Sequence, residues 1–158
     1  MLINTVLLFL LGSLASVQGL AIQTRDHPAG GYRAYCRSSG LQHYRGIKGA
    51  WLGASCSDTP TAGAWPCHDV AIDLNKCIEN SNGVLGWHKD GRFSDSCLCE
   101  TWWTDWYTTL HCKCVDFGTL QGINTTLYLD EGIYYNTTAR TIGCGDYLGV
   151  VGSPLHPE

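Results

Sequence analysis

The chain has 158 residues with 14 acidic and ten basic side chains, a net charge of −4, and its lysines and arginines are scattered. Nucleic acids and anionic membranes require a concentrated basic footprint, so the charge pattern argues against both as partners. Nineteen glycines, eight tyrosines and six tryptophans, against one methionine, favour a turn-rich β protein with aromatic surfaces.

Residues 1–19 have the pattern of a cleaved signal peptide. The apolar run from Val6 to Leu11 is followed by small residues up to Gly19. This run is much shorter than the stretch of about 20 apolar residues that spans a bilayer. No later stretch is long or apolar enough to cross one. We therefore expect a secreted, extracellular protein in which residues 20–31 form an N-terminal extension.

All nine cysteines follow the predicted signal peptide. In a secreted chain such a number predicts a disulfide framework, whereas in a cytosolic protein it would indicate metal or redox chemistry. Because nine is odd, one thiol stays reduced or pairs between chains.

The first predicted element is a hairpin, YCRSSGLQHYRGIKGAWLGASCSD, with Cys36 and Cys56 near its ends. The stretch Thr59–Gly63, rich in Pro, Gly and Thr, predicts a loop. Between Val70 and Trp87, two apolar segments flank Asn82-Gly83, a strong signal for a tight turn.

A second hairpin is predicted for CLCETWWTDWYTTLHCKC, from Cys97 to Cys114. In an antiparallel pair, the residue numbers of opposing residues have a constant sum. The sum is the same for Cys97 with Cys114 as for Cys99 with Cys112, so both pairs can lie opposite each other in one hairpin. Side chains two apart share a face, so two cross-strand bridges are expected. The turn then falls at 104–106, Leu110 joins the sulfur face, and His111 and Lys113 take the other face. A four-cysteine zinc site is the alternative, against which the oxidising compartment and the missing C-x-x-C spacing argue.

The chain also contains a tandem repeat. Leu129-Asp130-x-x-Ile133 parallels Leu74-Asn75-x-x-Ile78, within segments that are otherwise diverged. Two copies of a unit of roughly 55 residues, with loops of different length, explain this spacing. Repeat 1 covers about 32–87, and repeat 2 covers about 93–145.

The central segment resembles the signature of the cyanovirin-N family. The resemblance is carried by Ile72-Asp73-Leu74-Asn75, Ile78-Glu79-Asn80, Asn82-Gly83, Leu85, Trp87, Phe93, Ser96 and Cys97. The ordered cysteine pairs and the tandem halves match as well. The additional pair Cys99 and Cys112, and the cysteine in LNKCI, resemble secreted fungal members.

This resemblance implies an all-β fold of two pseudo-symmetric halves, each a three-stranded sheet plus a β-hairpin, with strands exchanged between them. The domain would cover 32–146, with 147–158 as a C-terminal tail. It implies a lectin for mannose-containing oligosaccharides or glycoprotein glycans, without catalysis, metal or cofactor. The chain would be a monomer or a domain-swapped dimer.

The sugar site implied by the resemblance lies around the central segment. The corresponding residues are Glu79, Asn80, Asn82, Asp95, Ser96, Asp116 and Thr119. Amides and carboxylates can donate to and accept from sugar hydroxyls. The opposite site corresponds to Ala34, Tyr35, Ser57, Thr59 and 136–138, where few polar groups remain. We therefore expect one site rather than two.

The expected bridges are Cys36–Cys56, Cys97–Cys114, Cys99–Cys112 and Cys67–Cys77, the last because both cysteines flank one short segment, and this leaves Cys144 over. Asn124-Thr125-Thr126 and Asn136-Thr137-Thr138 are acceptor sequons, so we expect glycosylation at Asn124 and Asn136.

Other interpretations remain open for these residues. Glu79, Asn80 and Asn82 lie in a predicted turn and could serve only to cap backbone groups. Trp102 and Trp106 could stack on sugar rings or be buried under a loop. The six histidines lack ligand spacing, no G-x-S-x-G motif is present, and the neighbouring carboxylates are ordinary turn residues, so we expect no enzyme. The alternative function is a secreted disulfide-rich scaffold that has lost glycan binding and acts through protein contacts.

Overall fold

The computed structural model describes residues 30–43, 50–61, 65–100 and 109–152. The predicted signal peptide, almost all of the N-terminal extension, the turn at 104–106, Trp102 and Trp106 lie outside the described residues.

The described chain consists of twelve strands and four short 3₁₀ turns. The strands are β1 (Cys36–His43), β2 (Ala50–Ser57), β3 (Cys67–Asp73), β4 (Ile78–Ser81), β5 (Val84–Trp87), β6 (Cys97–Glu100), β7 (Thr109–Asp116), β8 (Gln121–Tyr128), β9 (Tyr134–Asn136), β10 (Thr141–Cys144), β11 (Tyr147–Leu148) and β12 (Val150–Val151). The 3₁₀ turns are η1 (Tyr32–Ala34), η2 (Leu74–Lys76), η3 (Phe93–Asp95) and η4 (Leu129–Glu131).

The element order repeats, as the sequence predicts. Each half runs through a 3₁₀ turn, three antiparallel strands, a second 3₁₀ turn and a hairpin: η1, β1–β3, η2, β4–β5, and then η3, β6–β8, η4, β9–β10. The all-β architecture of two tandem halves, each with a three-stranded sheet and a hairpin, is therefore confirmed.

Each hairpin packs on the sheet of the other half. Hairpin β4–β5 contacts β7 and β8, and the Leu85 N–H donates to Thr125 Oγ1 at 3.2 Å. In the opposite direction, β10 packs on β3. Because each sheet needs the apolar face of the other half's hairpin, the two halves share one core.

Equivalent residues of the two halves meet in this core. Tyr32 and Phe93 in the first turns are buried, as are Leu74 and Leu129 in the second turns. Ile78 and Ile133, four residues after each leucine, are fully buried as well. Burial of matching apolar side chains explains why a faint sequence repeat still folds into two similar halves.

The register predicted for the second hairpin is confirmed. Cys97 lies opposite Cys114, and Cys99 lies opposite Cys112. Leu110, Cys112 and Cys114 are buried on the inner face, and Lys113 is exposed on the outer face, as strand alternation requires. Cys36 likewise lies opposite Cys56 across β1 and β2.

Four disulfides connect the described chain, and one predicted pair is wrong. The bridges are Cys36–Cys56, Cys97–Cys114, Cys99–Cys112 and Cys77–Cys144. The sequence prediction paired Cys67 with Cys77, but β3 separates them as an extended strand. Seven residues at about 3.3 Å each cover about 20 Å, far beyond disulfide reach. Cys77 instead reaches across the halves to Cys144, and Cys67 keeps its thiol.

The end of the described chain corrects a second expectation. Residues 147–151, expected to belong to a tail, form β11 and β12. β11 pairs with β10, and β12 pairs with β3 through Val150 opposite Ala71 and Val151 opposite Val70. The sheet of the first half thus has a fourth strand, in the order β1-β2-β3-β12.

No helix in the described residues has the length and apolar character needed to span a membrane.

Candidate functional site

The hairpin β4–β5 ends in the tight turn that the sequence predicts. Ser81 lies opposite Val84, and the two residues between them, Asn82 and Gly83, have φ angles of 50° and 87°. A two-residue loop with both φ angles positive follows the twist of the flanking strands, which explains the Asn-Gly sequence. The tip lies over β8, where a Cβ added to Gly83 would be 3.0 Å from the side chain of Ile123.

Both polar side-chain atoms of Asn80 are hydrogen-bonded, Oδ1 within the hairpin and Nδ2 to the second half. Its Oδ1 accepts from the Gly83 N–H at 2.7 Å. Its Nδ2 donates to Ser96 Oγ and to the Val115 carbonyl, both at 2.8 Å. Asn80 was predicted to contact sugar, but its side-chain groups are engaged within the protein. The capping interpretation therefore fits Asn80, and its amide holds Ser96 in place.

Glu79 points to the opposite face of β4, because successive side chains alternate along a strand. Its main chain forms an isolated antiparallel β-bridge with that of Arg92, and Arg92 Nη2 lies 3.1 Å from Asp95 Oδ2. The Glu79 carboxylate also lies 3.7 Å from His88 Nδ1. The predicted residues Glu79 and Asp95 are thus brought together by Arg92, which the sequence reasoning missed.

Local backbone geometry places Arg92 at this position. Its φ of 53° lies in the left-handed region, and its N–H donates to the Asn75 carbonyl at 3.0 Å. Gly91 precedes it because a Cβ there would be 2.5 Å from the Ile78 carbonyl oxygen. The spacing of Arg92 and Asp95, three residues apart, was the one sequence signal for their ion pair.

Glu79, His88, Arg92, Asp95 and Ser96 are called the η3 patch below, because they surround that turn. From 38% to 75% of the side chain is exposed in its four ionisable members. The patch offers two carboxylates as acceptors, a guanidinium with five N–H donors, an imidazole and a hydroxyl. Alternating donors and acceptors of this kind suit a ligand rich in vicinal hydroxyl groups.

Asp116 and Thr119, also predicted to bind sugar, lie in the turn between β7 and β8. Asp116 accepts from Thr119 Oγ1 at 2.7 Å and from the Gly118 N–H at 2.9 Å. These hydrogen bonds, the one from Thr119 first, hold the pKa of the Asp116 carboxyl below its usual value. Both oxygens of Asp116 thus stabilise the turn, and they are engaged within the protein.

The pseudo-symmetric counterpart of the η3 patch, near η1, carries aromatic side chains at the equivalent positions. Tyr135 corresponds to Asn80, and Tyr35 corresponds to Ser96. Their rings stack with centroids 5.1 Å apart and planes 27° apart. Ser57 Oγ donates to the Thr59 carbonyl at 2.9 Å. The structure thus has a stacked aromatic pair where the η3 side has an amide and a hydroxyl.

A polar network closes over this aromatic pair. The Tyr135 hydroxyl donates to Asp58 Oδ1 at 2.7 Å and lies 2.9 Å from His68 Nε2. Arg140 Nη2 lies 3.1 Å from Asp58 Oδ2. Burial, and then the bond to Asp58, raise the pKa of Tyr135 to about 12. The bond from Tyr135, together with the charge of Arg140, lowers the pKa of Asp58.

The two predicted glycosylation sites differ in their surroundings. Asn124 is exposed on β8. Asn136 Oδ1 accepts from the N–H groups of Thr138 and Ala139 at 3.0 and 2.8 Å, within the turn between β9 and β10. Glycosylation at both residues stays a prediction.

The four cysteines of the second hairpin, considered above as zinc ligands, form two disulfides. Among the described residues, no group of three or more His, Cys, Asp and Glu side chains is placed to hold a metal ion.

The family follows from a domain comparison. The model of the CVNH domain matches residues 32–138, well over half of the chain. The chain belongs to the cyanovirin-N family. This cyanovirin-N family member has no match at a significant level among the curated proteins.

Solved structures similar to this cyanovirin-N family member include the NMR structure of GzCVNH from Gibberella zeae. It is 18% identical, with a TM-score of 0.55 over 73% of this chain and 98% of that chain. The crystal structure of a MoCVNH3 variant in complex with (N-GlcNAc)4 is 19% identical, with a TM-score of 0.53 over 69% of this chain and 94% of that chain. A microvirin:mannobiose complex is 21% identical, with a TM-score of 0.50 over 71% of this chain and 97% of that chain. At these identities the likeness establishes the fold.

Proposed function

We propose that this protein is a secreted, non-catalytic lectin that binds neutral, mannose-containing oligosaccharides through the η3 patch. Membership of the cyanovirin-N family supports carbohydrate binding. Two proteins of similar fold are described in complex with sugars, (N-GlcNAc)4 and mannobiose.

The observation that carries this proposal is the main-chain β-bridge between Glu79 and Arg92, together with the ion pair between Arg92 and Asp95. The main-chain bridge places two carboxylate residues and an arginine on one surface that is open to solvent. A pair of vicinal hydroxyls can donate to a carboxylate and accept from the guanidinium at once.

The patch is held in place before ligand arrives. Asn80 fixes the hairpin and Ser96 together, and the Cys97–Cys114 bridge follows directly after Ser96. Fixed groups lose little conformational entropy on binding, which matters because sugar hydroxyls are already hydrated in water. Each hydrogen bond contributes only about 0.5 to 1.5 kcal/mol net, so we expect a single site of micromolar affinity or weaker.

The contrast between the η3 patch and its pseudo-symmetric counterpart supports one site rather than two. The position equivalent to Asn80 holds Tyr135, whose hydroxyl is engaged with Asp58 and His68. Arg140 covers the same carboxylate, so the polar groups of this half bind one another.

A second candidate function draws on that observation. The closed network of Tyr135, Asp58, His68 and Arg140 favours a scaffold that has lost glycan binding and acts through protein contacts. It becomes the preferred function if the η3 patch binds no sugar.

A glycan array on the purified chain, followed by calorimetry with the best ligand, tests the proposal. The double variant Glu79→Gln and Asp95→Asn removes both carboxylates of the patch while keeping side-chain size. Glu131→Gln, an exposed carboxylate in η4 of the other half, is the matched control. We expect mannose-containing glycans to bind wild type and the control, and the double variant to lose most of the affinity.

Two outcomes would contradict the proposal at different levels. Absence of binding to every glycan on the array would remove the lectin function. Unchanged binding by the double variant would leave the lectin function in place and move the site elsewhere.

A further inference from the structure

The two three-stranded sheets differ at one edge. In the first half, β12 pairs with the outer edge of β3. In the second half, β8 occupies the position of β3, since Cys114 lies opposite Ile123 as Cys56 lies opposite His68. Within the described residues, β8 is the last strand of its sheet, in the order β6-β7-β8.

The missing strand leaves β8 more exposed than its counterpart. Val70 and Ala71, which face β12, are 2% and 1% exposed. Their equivalents are Thr125, which is half-buried, and Thr126, which is exposed. Gly122 is also exposed, and since glycine has no side chain, that exposed surface is main chain.

The first half identifies which main-chain groups of β8 face outward. The Asp69 carbonyl accepts from the Gly152 N–H at 2.7 Å, so the main-chain groups of Asp69 point to the edge. Because the direction of the main-chain groups alternates along a strand, those of Ala71 also point to this edge. The equivalent residues on β8 are Asn124 and Thr126, and by the same alternation Gly122 and Tyr128.

The sequence of β8 lacks the usual protection of an edge strand. The eight residues QGINTTLY include no charged residue and no proline. Exposed edges of this length are normally blunted by lysine, proline, a bulge or a covering segment. The charged side chain of Lys113 on β7 lies over Gly122 on the outer face rather than at the edge.

We propose that β8 is a pairing edge at which two copies of this chain join as antiparallel strands around a two-fold axis at Thr125. The proposal goes beyond glycan binding and does not rest on it. In the first half, β12 pairs with the equivalent edge of β3 next to the overlying strand β10. A strand can therefore fit at the edge of β8 next to the overlying hairpin β4–β5.

The sequence of β8 is complementary to itself in this register. Outward-facing main-chain groups must lie opposite each other, so only even-numbered residues can pair with even-numbered residues. With Thr125 opposite its copy, Asn124 pairs with Thr126, and Gly122 pairs with Tyr128. The tyrosine ring then lies across from the glycine of the other copy and beside the Lys113 side chain on the same outer face, and such a cross-strand pairing stabilises edge glycines.

The inner face also matches in this register. Ile123 lies opposite Leu127 of the second copy, so apolar side chains meet next to the existing core. Threonine lies opposite threonine at the axis, a favourable cross-strand pair. No pair places like charges opposite one another, which is why a second copy is a better occupant than a charged peptide.

Sedimentation of the full mature chain across a concentration series tests the proposal, using protein produced with its disulfides but without glycans. Thr126→Lys places a charge at the edge, and Thr137→Lys, in the exposed turn between β9 and β10, is the matched control. We expect wild type and the control to dimerise reversibly, and Thr126→Lys to associate about ten-fold more weakly or not at all. Unfolding curves for the three proteins check that the fold is intact.

Amide hydrogen exchange tests the register. In the dimer, exchange at Gly122, Asn124, Thr126 and Tyr128 should slow with rising concentration, while Ile123 and Thr125, already bonded to β7, should not change. A monomer at every concentration would overturn the proposal. A dimer unaffected by Thr126→Lys would also overturn it and would indicate association by another surface or by exchange of strands.

Discussion

Asn75 and Asp130 occupy equivalent positions in the two halves, and each caps the 3₁₀ turn that begins the opposite half. The Asn75 carbonyl and Oδ1 accept from the N–H groups of Arg92 and Ser94 at 3.0 and 3.1 Å. The carbonyl and Oδ1 of Asp130 accept from the N–H groups of Gly31 and Arg33 at 2.7 and 3.0 Å. The same pair of hydrogen bonds thus positions the η3 patch and its counterpart.

This symmetry predicts which replacements the cap tolerates. Asn75→Ala removes the side-chain acceptor of Ser94 and should lower the free energy of unfolding by about 1 kcal/mol. Asn75→Asp keeps the acceptor, as Asp130 does in the other half, and should cost much less. Urea unfolding of the two variants measures the difference, and equal losses would contradict the capping role.

Asn80 should behave as a structural residue of the site rather than as a sugar ligand. Asn80→Ala removes three hydrogen bonds and should lower stability by about 2 to 3 kcal/mol. Asn80→Asp keeps the acceptor of Gly83 but places a carboxylate oxygen against the Val115 carbonyl oxygen, so a loss at least as large is expected. Chemical denaturation measures both, and a fully stable Asn80→Ala variant that only loses sugar affinity would show that the assignment is wrong.

The bridge between the halves should stabilise the fold more than the inner bridge of the second hairpin. Cys77 and Cys144 are 67 residues apart, whereas Cys99 and Cys112 are 13 apart and lie inside the Cys97–Cys114 loop. In the chain-entropy model the longer loop contributes about 4 kcal/mol to stability, and the shorter loop about 3 kcal/mol. The contribution of the shorter loop is smaller than this value because the Cys97–Cys114 bridge already restricts the same segment of the unfolded chain.

The test compares the double alanine variants of each pair by denaturant unfolding. We expect the Cys77 and Cys144 variant to lose more stability. Peptide mapping without reduction checks the pairing itself, and recovery of a peptide joining Cys67 to Cys77 would contradict the structure.

The network around Tyr135 predicts a pH-dependent contribution to stability. Because the pKa of Asp58 is lowered in the folded state, its contribution is present above the unfolded pKa of about 4 and is lost as pH falls through the folded value. Tyr135→Phe removes the hydrogen bond that is the largest cause of the lowered pKa of Asp58.

The destabilisation caused by Tyr135→Phe should therefore be larger at pH 7 than at pH 2. Unfolding midpoints at both pH values measure it, with Tyr128→Phe, an exposed tyrosine of β8 outside this network, as control. An equal loss of stability at both pH values would show that the hydrogen bond to Asp58 is not the stabilising interaction of Tyr135.

Local patterns predict the strand pairing of this chain well. The spacing of Cys97, Cys99, Cys112 and Cys114 fixes a register because antiparallel partners have a constant sum, and the structure has that register. Asn82-Gly83 predicts its turn because those residues accept positive φ angles at low cost. The repeat was visible through Leu74-Asn75 and Leu129-Asp130, which have the same role in each half.

Contacts between the halves were harder to predict. The pairing of Cys77 with Cys144 depends on how the hairpins pack across the two sheets, which no local period encodes. Arg92 joins Glu79 and Asp95 only because its left-handed backbone places it opposite β4. Asn80 was predicted to bind sugar because an amide can hydrogen-bond to sugar hydroxyls as readily as to Ser96 Oγ and the Val115 carbonyl.

A titration of the isotope-labelled mature chain with a mannose disaccharide, followed by amide chemical shifts, tests the central claim most directly. We expect saturable shifts at Glu79, Arg92, Asp95 and Ser96, and none at Tyr35, Asp58 or Tyr135 in the opposite half. Constant shifts at millimolar disaccharide, or shifts confined to the opposite half, would contradict binding at the η3 patch.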